Sequence, residues 1–419
     1  MEAAVLTAAI NRAIQGGAIS APPVHEDGHD LNFVRAQTDV GIDPKILETY
    51  LSDLRADGDL AALERRFIRS AFGGGVSVNF SSIARQLLAQ AIVTNDIPGT
   101  VARFISNMDL NAAEMTAVLA ISGVVTFEPI NLSPEVALVP LDSLPPSLQR
   151  GIALGQSTVW TSFGGPRAAI PSALITKFRF SPVLYAPQNP QPQMDFQGIE
   201  QTRRAQATLE EACNLLSLAD LHPIVGMFWV QPNDWLMAGV GSGWQFSPNL
   251  DLRVGDTIVT DVLRRQLEGI GSDYFSIETK KRKILRIPLD RLSRVGLERD
   301  MADQAIDVGI ALEALLLHDR GDRSELTFTL SYRGAWLLGA NVDQRLEIQR
   351  SLRKLYALRS NAVHRGEVTV TEPNIHTIGH AVTICKDLVR RLIALRCNAI
   401  DWDSVVVGGQ PGNMSGDQP

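Results

Sequence analysis

Cysteine is scarce in this 419-residue chain. The three cysteines, Cys213, Cys385 and Cys397, are odd in number and widely spaced. This pattern fits neither a disulfide framework nor a CxxC metal site. It therefore predicts a protein of a reducing compartment, the cytoplasm.

Long apolar runs are also missing. No segment reaches the about 18 uninterrupted apolar residues typical of a membrane-spanning helix. The start, MEAAVLTAAINRAIQGG, contains Glu2 and has no basic region ahead of an apolar one, so a secretory signal is not predicted. With 45% hydrophobic and 20% charged residues, the composition excludes a disordered or fibrous chain. The length predicts two or three folded domains.

The net charge of −7 is unevenly distributed. Counting Lys plus Arg against Asp plus Glu gives −10 for residues 1–280 and +6 for residues 281–400. A basic C-terminal part would attract a polyanion such as RNA. Solvated charge on helix faces would give the same count, so both interpretations stay open.

The first two thirds of the chain divide into two regions with different sequence patterns. Residues 1–115 predict a helical region, with helices over 44–55, 60–72 and 81–92 separated by GGG and NDIPG. Residues 116–280 predict a mixed strand and helix domain of unknown fold. Its strand signals are ISGVVTF, EVALVPL, KFRFSPVLY and IVGMFWV, and its helix signal is RRAQATLEEACNLLSLAD.

After KKRK at 280–283 the pattern becomes helical. Residues 285–402 predict an all-α domain of four helices joined by short loops, with Asn341 as the N-cap of one helix. Residues 403–419 predict a disordered tail. The whole chain is thus predicted to be a multidomain α+β protein.

Two charges interrupt apolar stripes of the C-terminal helices. Glu313 lies in line with Ile306, Ile310 and Leu317, and Arg333 lies in line with leucines of the next helix. A buried charge needs a partner. The simplest prediction is that Glu313 and Arg333 pair with each other. The alternative is that Glu313 orients Arg359.

The segment RSNAVHRGEV, residues 359–368, contains an arginine and a histidine five positions apart. On an ideal helix Arg359 and His364 diverge by about 140° and by about 7.5 Å along the axis. They could meet if the helix breaks before His364, helped by Gly366, or if two copies of the motif face each other. With 32 arginines and 7 histidines in 419 residues, chance alone gives roughly half an R-x4-H match, so the spacing by itself favours a plain helix end over a catalytic pair.

The succession DVGIALEALLL, SYRGAWLLG and LYALRSNAVHRGE resembles the HEPN superfamily, most closely its Apea-like group, over residues 285–400. The resemblance implies a helical bundle that dimerises so that two R-x4-6-H motifs line one cleft. It implies a metal-independent endoribonuclease, of the toxin or antiviral-defence effector type, although other members bind without cutting. Arg359 and His364 match the motif ends, and Asn361 is an interior polar residue. Ser360 stands where active members often carry a larger polar group.

These residue types suit RNA cleavage by the 2′-hydroxyl. A histidine can move the proton, and a guanidinium can hold the phosphate as charge develops. We expect His364 to be the general acid or base, Arg359 the phosphate clamp and Asn361 an orienting group, with Glu313, Arg333 and Ser360 in support. The basic side chains of Arg353, Lys354 and Arg365 are candidate RNA-backbone contacts or a solvated face.

No cofactor is predicted, and the expected partners are RNA, a second copy of the chain and a regulatory protein or antitoxin. Residues 1–280 would sense, regulate or recruit. The alternative is a non-catalytic module that binds RNA or protein, or only dimerises.

HEDGHD at 25–30 has histidines four apart, but its glycine favours a polar turn over a metal site. AGVGSGW at 238–244 lacks the GK[ST] of a phosphate loop and predicts a turn between strands.

Overall fold

The computed structural model describes residues 3–20, 40–58, 67–69, 75–77, 79–108, 113–145, 147–155, 170–180, 184–185, 196–232, 244–246, 256–319 and 325–406. Within them the chain is a mixed α+β protein, as the sequence predicted. Helices dominate both ends of the chain, and an antiparallel sheet lies between them.

The N-terminal part is a small helical unit. Its helices are α1 (Ala3–Gln15), α2 (Pro44–Arg55), α3 (Phe80–Thr94) and α4 (Ile97–Met108). The predicted helices over 44–55 and 81–92 are confirmed, and Asp43 and Asn79 cap α2 and α3 by accepting backbone N–H groups. Buried side chains of all four helices form one core, which includes Leu6, Tyr50, Leu88 and Phe104.

The helix predicted over residues 60–72 is wrong. The described part of this segment is a strand, β3 (Phe67–Arg69), which follows β1 (Ile19–Ser20) and β2 (Val40–Gly41) in the chain. It pairs antiparallel with β4 (Gly75–Ser77), with Arg69 opposite Gly75. Gly75, the last of the glycines that were interpreted as a break between helices, therefore belongs to a paired strand. Backbone pairing outweighed the helical spacing of the apolar residues.

The middle part contains a six-stranded sheet. In chain order the elements are β5 (Ala113–Ser122), β6 (Val124–Val125), β7 (Ile130–Asn131), β8 (Val136–Pro140), α5 (Leu148–Ala153), β9 (Ser172–Phe180), β10 (Leu184–Tyr185), α6 (Phe196–Leu215), β11 (Ile224–Pro232), β12 (Trp244–Phe246) and β13 (Thr257–Ile258). The sheet order is β12-β11-β5-β9-β8-β7, with every neighbouring pair antiparallel. The predicted strands and the predicted helix over 203–220 all coincide with these elements.

Both faces of this sheet are covered. Along β5 the side chains of Met115 and Leu119 pack under α6, whereas Val118 and Ala120 pack on the opposite face against Ile152 of α5. This alternation follows from the two-residue period of a strand. Because both faces are covered, the central strands contain continuous apolar runs, such as residues 117–121 of β5.

The C-terminal part is a helical bundle. Its elements are α7 (Asp261–Phe275), α8 (Thr279–Arg282), α9 (Arg286–Val295), α10 (Met301–Leu316), α11 (Leu326–Leu338), α12 (Val342–Arg365), α13 (Glu372–Ala394) and α14 (Trp402–Val406). The four predicted helices correspond to α10 to α13, and Asn341 caps α12 as predicted. The bundle core contains buried leucines of all four, together with those of α9.

Two features of the predicted bundle need correction. The bundle is not limited to four helices, because α9 packs on α10 and α13 and buries Leu289 and Leu292. The tail does not begin at residue 403, because residues 403–406 belong to α14, which packs on α11 and buries Trp402 and Val405. Residues 407–419 lie outside the described part of the chain.

The sheet unit and the bundle share packed and polar contacts. Glu211 of α6 accepts hydrogen bonds from Arg282 Nε and Tyr274 Oη, each at 3.3 Å. Lys386 of α13 pairs with Asp220, and its side chain is only 7% exposed. A lysine buried to this extent needs such a partner.

The apolar core of the bundle yields a stability prediction. Leu355 and Leu346 both lie on α12, but Leu355 is fully buried whereas Leu346 is 40% exposed. We expect Leu355→Ala to lower the free energy of unfolding by about 2–5 kcal/mol, because it removes buried methyl groups and leaves a cavity. Leu346→Ala should change it by less than about 0.5 kcal/mol. Urea unfolding followed by circular dichroism measures both, and equal losses would contradict the assigned burial.

Candidate functional site

The R-x4-H segment lies on one uninterrupted helix. The side chain of Asn341 accepts the N–H of Gln344 at the start of α12, which then continues to Arg365. Gly366 ends it in the left-handed conformation, with φ +73°, which glycine adopts at no steric cost. The predicted break before His364 therefore does not occur. Gly366 ends the helix only after His364.

Arg359 and His364 consequently point in different directions. The Arg359 side chain is 24% exposed and lies against α10, whereas His364 is exposed on the last turn of α12. Five residues of regular helix separate their directions by about 140°. Within one chain the guanidinium and the imidazole do not form a common site.

Three polar side chains meet between α10 and α12. The Glu313 carboxylate pairs with Arg359 Nη2 at 3.1 Å and accepts a hydrogen bond from Tyr356 Oη at 2.7 Å. The Arg359 guanidinium carbon lies 5.2 Å from the centre of the Tyr356 ring, within cation–π range. We call Glu313, Tyr356 and Arg359 the carboxylate cluster. The predicted alternative, in which Glu313 orients Arg359, is what the structure contains.

A glycine makes this approach possible. A Cβ on Gly309 would lie 2.7 Å from Arg359 Cδ and 3.0 Å from Arg359 Nε. Any side chain at residue 309 would therefore displace the arginine from α10. Arg359 Nε is itself buried without a hydrogen-bond partner among the described residues. An unpaired buried donor is costly.

The cluster changes the proton affinity of its tyrosine. Partial burial, then the hydrogen bond to Glu313 and the negative charge of that carboxylate, raise the pKa of Tyr356 to about 12. Tyr356 thus keeps its proton at neutral pH and serves as a hydrogen-bond donor. Its hydroxyl competes with Arg359 for the same carboxylate and fixes the orientation of that carboxylate.

Arg333 does not pair with Glu313, so the simplest sequence prediction is wrong. Its guanidinium binds Asp319, at 2.5 Å for the closest pair of atoms, donates to Leu316 O and lies 4.5 Å from the Trp402 ring centre. Burial opposes ionisation of Asp319, but the hydrogen bonds and charge of Arg333 outweigh it, so the pKa of Asp319 falls below its usual value. Arg333 therefore links the end of α10 to α14.

The remaining predicted site residues lie on the solvent side of α12. Ser360, Asn361, Arg353, Lys354 and Arg365 are all exposed. None of them contacts the carboxylate cluster through a hydrogen bond or an ion pair within the described residues.

The sequence analysis did not identify Tyr356 as a polar member of the cluster. It also did not identify Gly309 as the residue whose small size lets Arg359 approach α10. The spacing of Tyr356 and Arg359, three residues apart on one helix, was the available signal.

The two other motifs of the sequence lie wholly or mostly outside the part of the chain that the structure describes. HEDGHD lies outside the described residues, as do residues 238–243 of AGVGSGW, after which β12 begins at Trp244. The described residues contain no group of three histidine, cysteine or carboxylate side chains arranged to hold a metal. They also contain no helix of the length and hydrophobicity that a membrane crossing requires. All three cysteines are buried thiols.

No protein-family model, curated protein or solved structure matches the chain. The resemblance to the HEPN superfamily thus stays a prediction from the residues that carry it.

The carboxylate cluster can be tested by a double-mutant cycle. We expect Glu313→Gln and Arg359→Gln to show a coupling free energy of about 0.5–2 kcal/mol, because each removes the partner of the other. Glu313→Gln combined with Arg333→Gln should be additive to within about 0.5 kcal/mol, since these two side chains have separate partners. Urea unfolding of the single and double variants gives the values. Coupling of Glu313 to Arg333 instead would contradict this pairing.

Proposed function

We propose that the C-terminal bundle is a metal-independent endoribonuclease of the HEPN type, acting as a homodimer. The observation that carries this proposal is the placement of the two motif side chains. Arg359 is anchored at the boundary between two helices, whereas His364 is exposed at the end of the same basic helix. In an effector of this kind residues 1–280 would sense a signal or regulate the bundle.

The proposed reaction uses the RNA's own 2′-hydroxyl as nucleophile. His364 takes the proton of that hydroxyl as the 2′-oxygen bonds to the adjacent phosphorus, and the bond from phosphorus to the 5′-oxygen breaks. The leaving oxygen takes up a proton, which the imidazolium of a second His364 can supply. Arg359 stabilises the negative charge that develops on the phosphate oxygens. Asn361 orients the substrate, and Ser360 supports it.

The proposal requires two copies of the chain. Within one copy the two side chains diverge, but a two-fold arrangement would place His364 of one protomer near Arg359 of its partner. Two exposed aliphatic side chains lie near the histidine in the sequence: Val363 precedes it and is 54% exposed, and Val370 follows the end of α12 and is 72% exposed. Burial of such side chains is what would stabilise a dimer.

A second candidate function is a non-catalytic module that binds RNA or a protein partner. It is favoured by the pairing of Arg359 with Glu313, which uses part of the guanidinium's hydrogen-bonding capacity inside one protomer. On this view the arginine pins α12 to α10, and His364 is a solvated residue of a helix end. The two candidates differ in whether RNA is cut.

A cleavage assay separates them. Purified protein is incubated with RNA in EDTA at neutral pH, beside His364→Ala. We expect His364→Ala to slow cleavage by about 100-fold or more, because proton transfer by a positioned side chain contributes at least that much. His376→Ala is the matched control, since His376 is an exposed histidine of the neighbouring helix. Equal products from the parent protein and His364→Ala would exclude the enzyme.

The dimer can be tested separately. We expect Val370→Asp to convert the dimer to monomers and to lower RNA cleavage at least about tenfold, because a carboxylate buried in an apolar contact is costly. Val262→Asp places the same charge on an exposed position of α7, 66% exposed in the parent protein, and should change neither property. Analytical ultracentrifugation reports the mass. A monomeric Val370→Asp that cuts as fast as the parent would contradict the shared site.

A further inference from the structure

One side of the bundle combines aromatic rings with guanidinium groups that have no carboxylate partner among the described residues. On α11 the rings of Phe328, Tyr332 and Trp336 succeed each other at four-residue intervals. Phe328 and Tyr332 lie stacked at 5.5 Å with 14° between their planes, and Tyr332 and Trp336 lie 6.0 Å apart. We call these three side chains the aromatic face. They form a continuous row about 12 Å long on one side of the helix.

Two arginines of the antiparallel helix α12 lie over this row. The guanidinium carbon of Arg345 is 3.7 Å from the Trp336 ring centre, and that of Arg353 is 5.9 Å from the Phe328 ring centre. Among the described residues neither arginine has a carboxylate partner at ion-pair distance. Each therefore retains a net positive charge beside the rings.

The outer end of the aromatic face is open to solvent. Phe328 is 47% exposed, and a surface depression begins there, lined by Glu325, Leu326, Thr327 and Phe328. An aromatic ring exposed to this extent beside a cation is not explained by the core, which takes up only part of Trp336. The carboxylate of Glu325 would repel a phosphate, so a ligand's apolar part belongs at the depression and its anionic part beside Arg353.

The surrounding charge specifies an anionic ligand. Helix α12 carries six lysines and arginines against two carboxylates, although the whole chain has a net charge of −7. Aromatic rings interleaved with guanidinium groups are the arrangement on which unpaired bases stack while their phosphates meet positive charge. Duplex bases are already stacked on one another and cannot reach such rings.

From this juxtaposition we propose that the aromatic face binds single-stranded RNA, with an unpaired base on Phe328 and the adjoining phosphate on Arg353. This inference rests on the proposed RNA-directed function and names its substrate class. Arg353 and Arg359 lie six residues apart on α12, about 9 Å along the axis and about 120° apart around it. The aromatic face and the carboxylate cluster are therefore separate surfaces of the bundle, and RNA bound at one would have to pass around α12 to reach the other.

The test is a binding measurement with a fluorescein-labelled, unstructured single-stranded RNA and an RNA duplex of the same sequence. All variants carry His364→Ala, so that cleavage does not consume the ligand. We expect Phe328→Ala to weaken single-strand binding about tenfold, through loss of one stacking contact, and to leave duplex binding unchanged. Phe328→Trp should restore affinity. Ile287→Ala, at a 52% exposed position of α9, is the matched control.

A second variant, at Arg353, tests the same surface independently in case Phe328→Ala does not fold. Arg353→Gln should lower single-strand affinity and reduce the slope of log affinity against log salt concentration by about 0.7, whereas Arg391→Gln, an exposed arginine of α13, should have a smaller effect.

Two results would overturn the inference: no binding of single-stranded RNA by the parent protein, or the same affinity with Phe328→Ala and Arg353→Gln as without them. Binding of a protein helix instead of RNA would belong to the first result. If Phe328→Ala weakens binding while His364→Ala leaves cleavage unchanged, the aromatic face stands and the nuclease proposal alone fails.

Discussion

The C-terminal bundle depends on one carboxylate. Glu313 on α10 is 27% exposed and receives Tyr356 and Arg359 of α12. A carboxylate and a guanidinium so far removed from water are stable only as a pair with further hydrogen bonds, and here the tyrosine supplies one. The three groups fix the register of the two helices and turn Arg359 inwards. Gly309 provides the space for this approach.

This constraint separates the two ends of the R-x4-H motif. Because α12 runs without a break to Gly366, inward packing of Arg359 leaves His364 facing solvent. The candidate active site is therefore divided between surfaces that one protomer does not bring together. It has a functional meaning only if a second surface covers His364, and the exposed Val363 next to that histidine is available for such a contact.

Charge is distributed in accord with this arrangement. The acidic residues lie mainly before residue 280, and the basic residues collect on the bundle. Buried polar contacts link the two parts through Arg282 with Glu211 and Lys386 with Asp220. Two cationic residues of α12, Arg345 and Arg353, lie beside the aromatic rings of α11. A count of lysines and arginines in the sequence does not separate cations that pair with carboxylates from cations that lie on the surface. Only their contacts in the folded structure distinguish the two.

The sequence by itself determined helices α10 to α13 of the bundle, the Asn341 cap and most of the strands, because three-to-four-residue and two-residue periodicities arise from local geometry. It failed over residues 60–72, where pairing with a strand outside the segment decided the structure. It also left the partner of Glu313 open between Arg333 and Arg359. Tertiary packing alone decided this, since the spacing along each helix sets which face a charge lies on but not which helix lies opposite. The direction of His364 was implicit in helical winding once α12 proved continuous, and that continuity depends on the packing of its inner face.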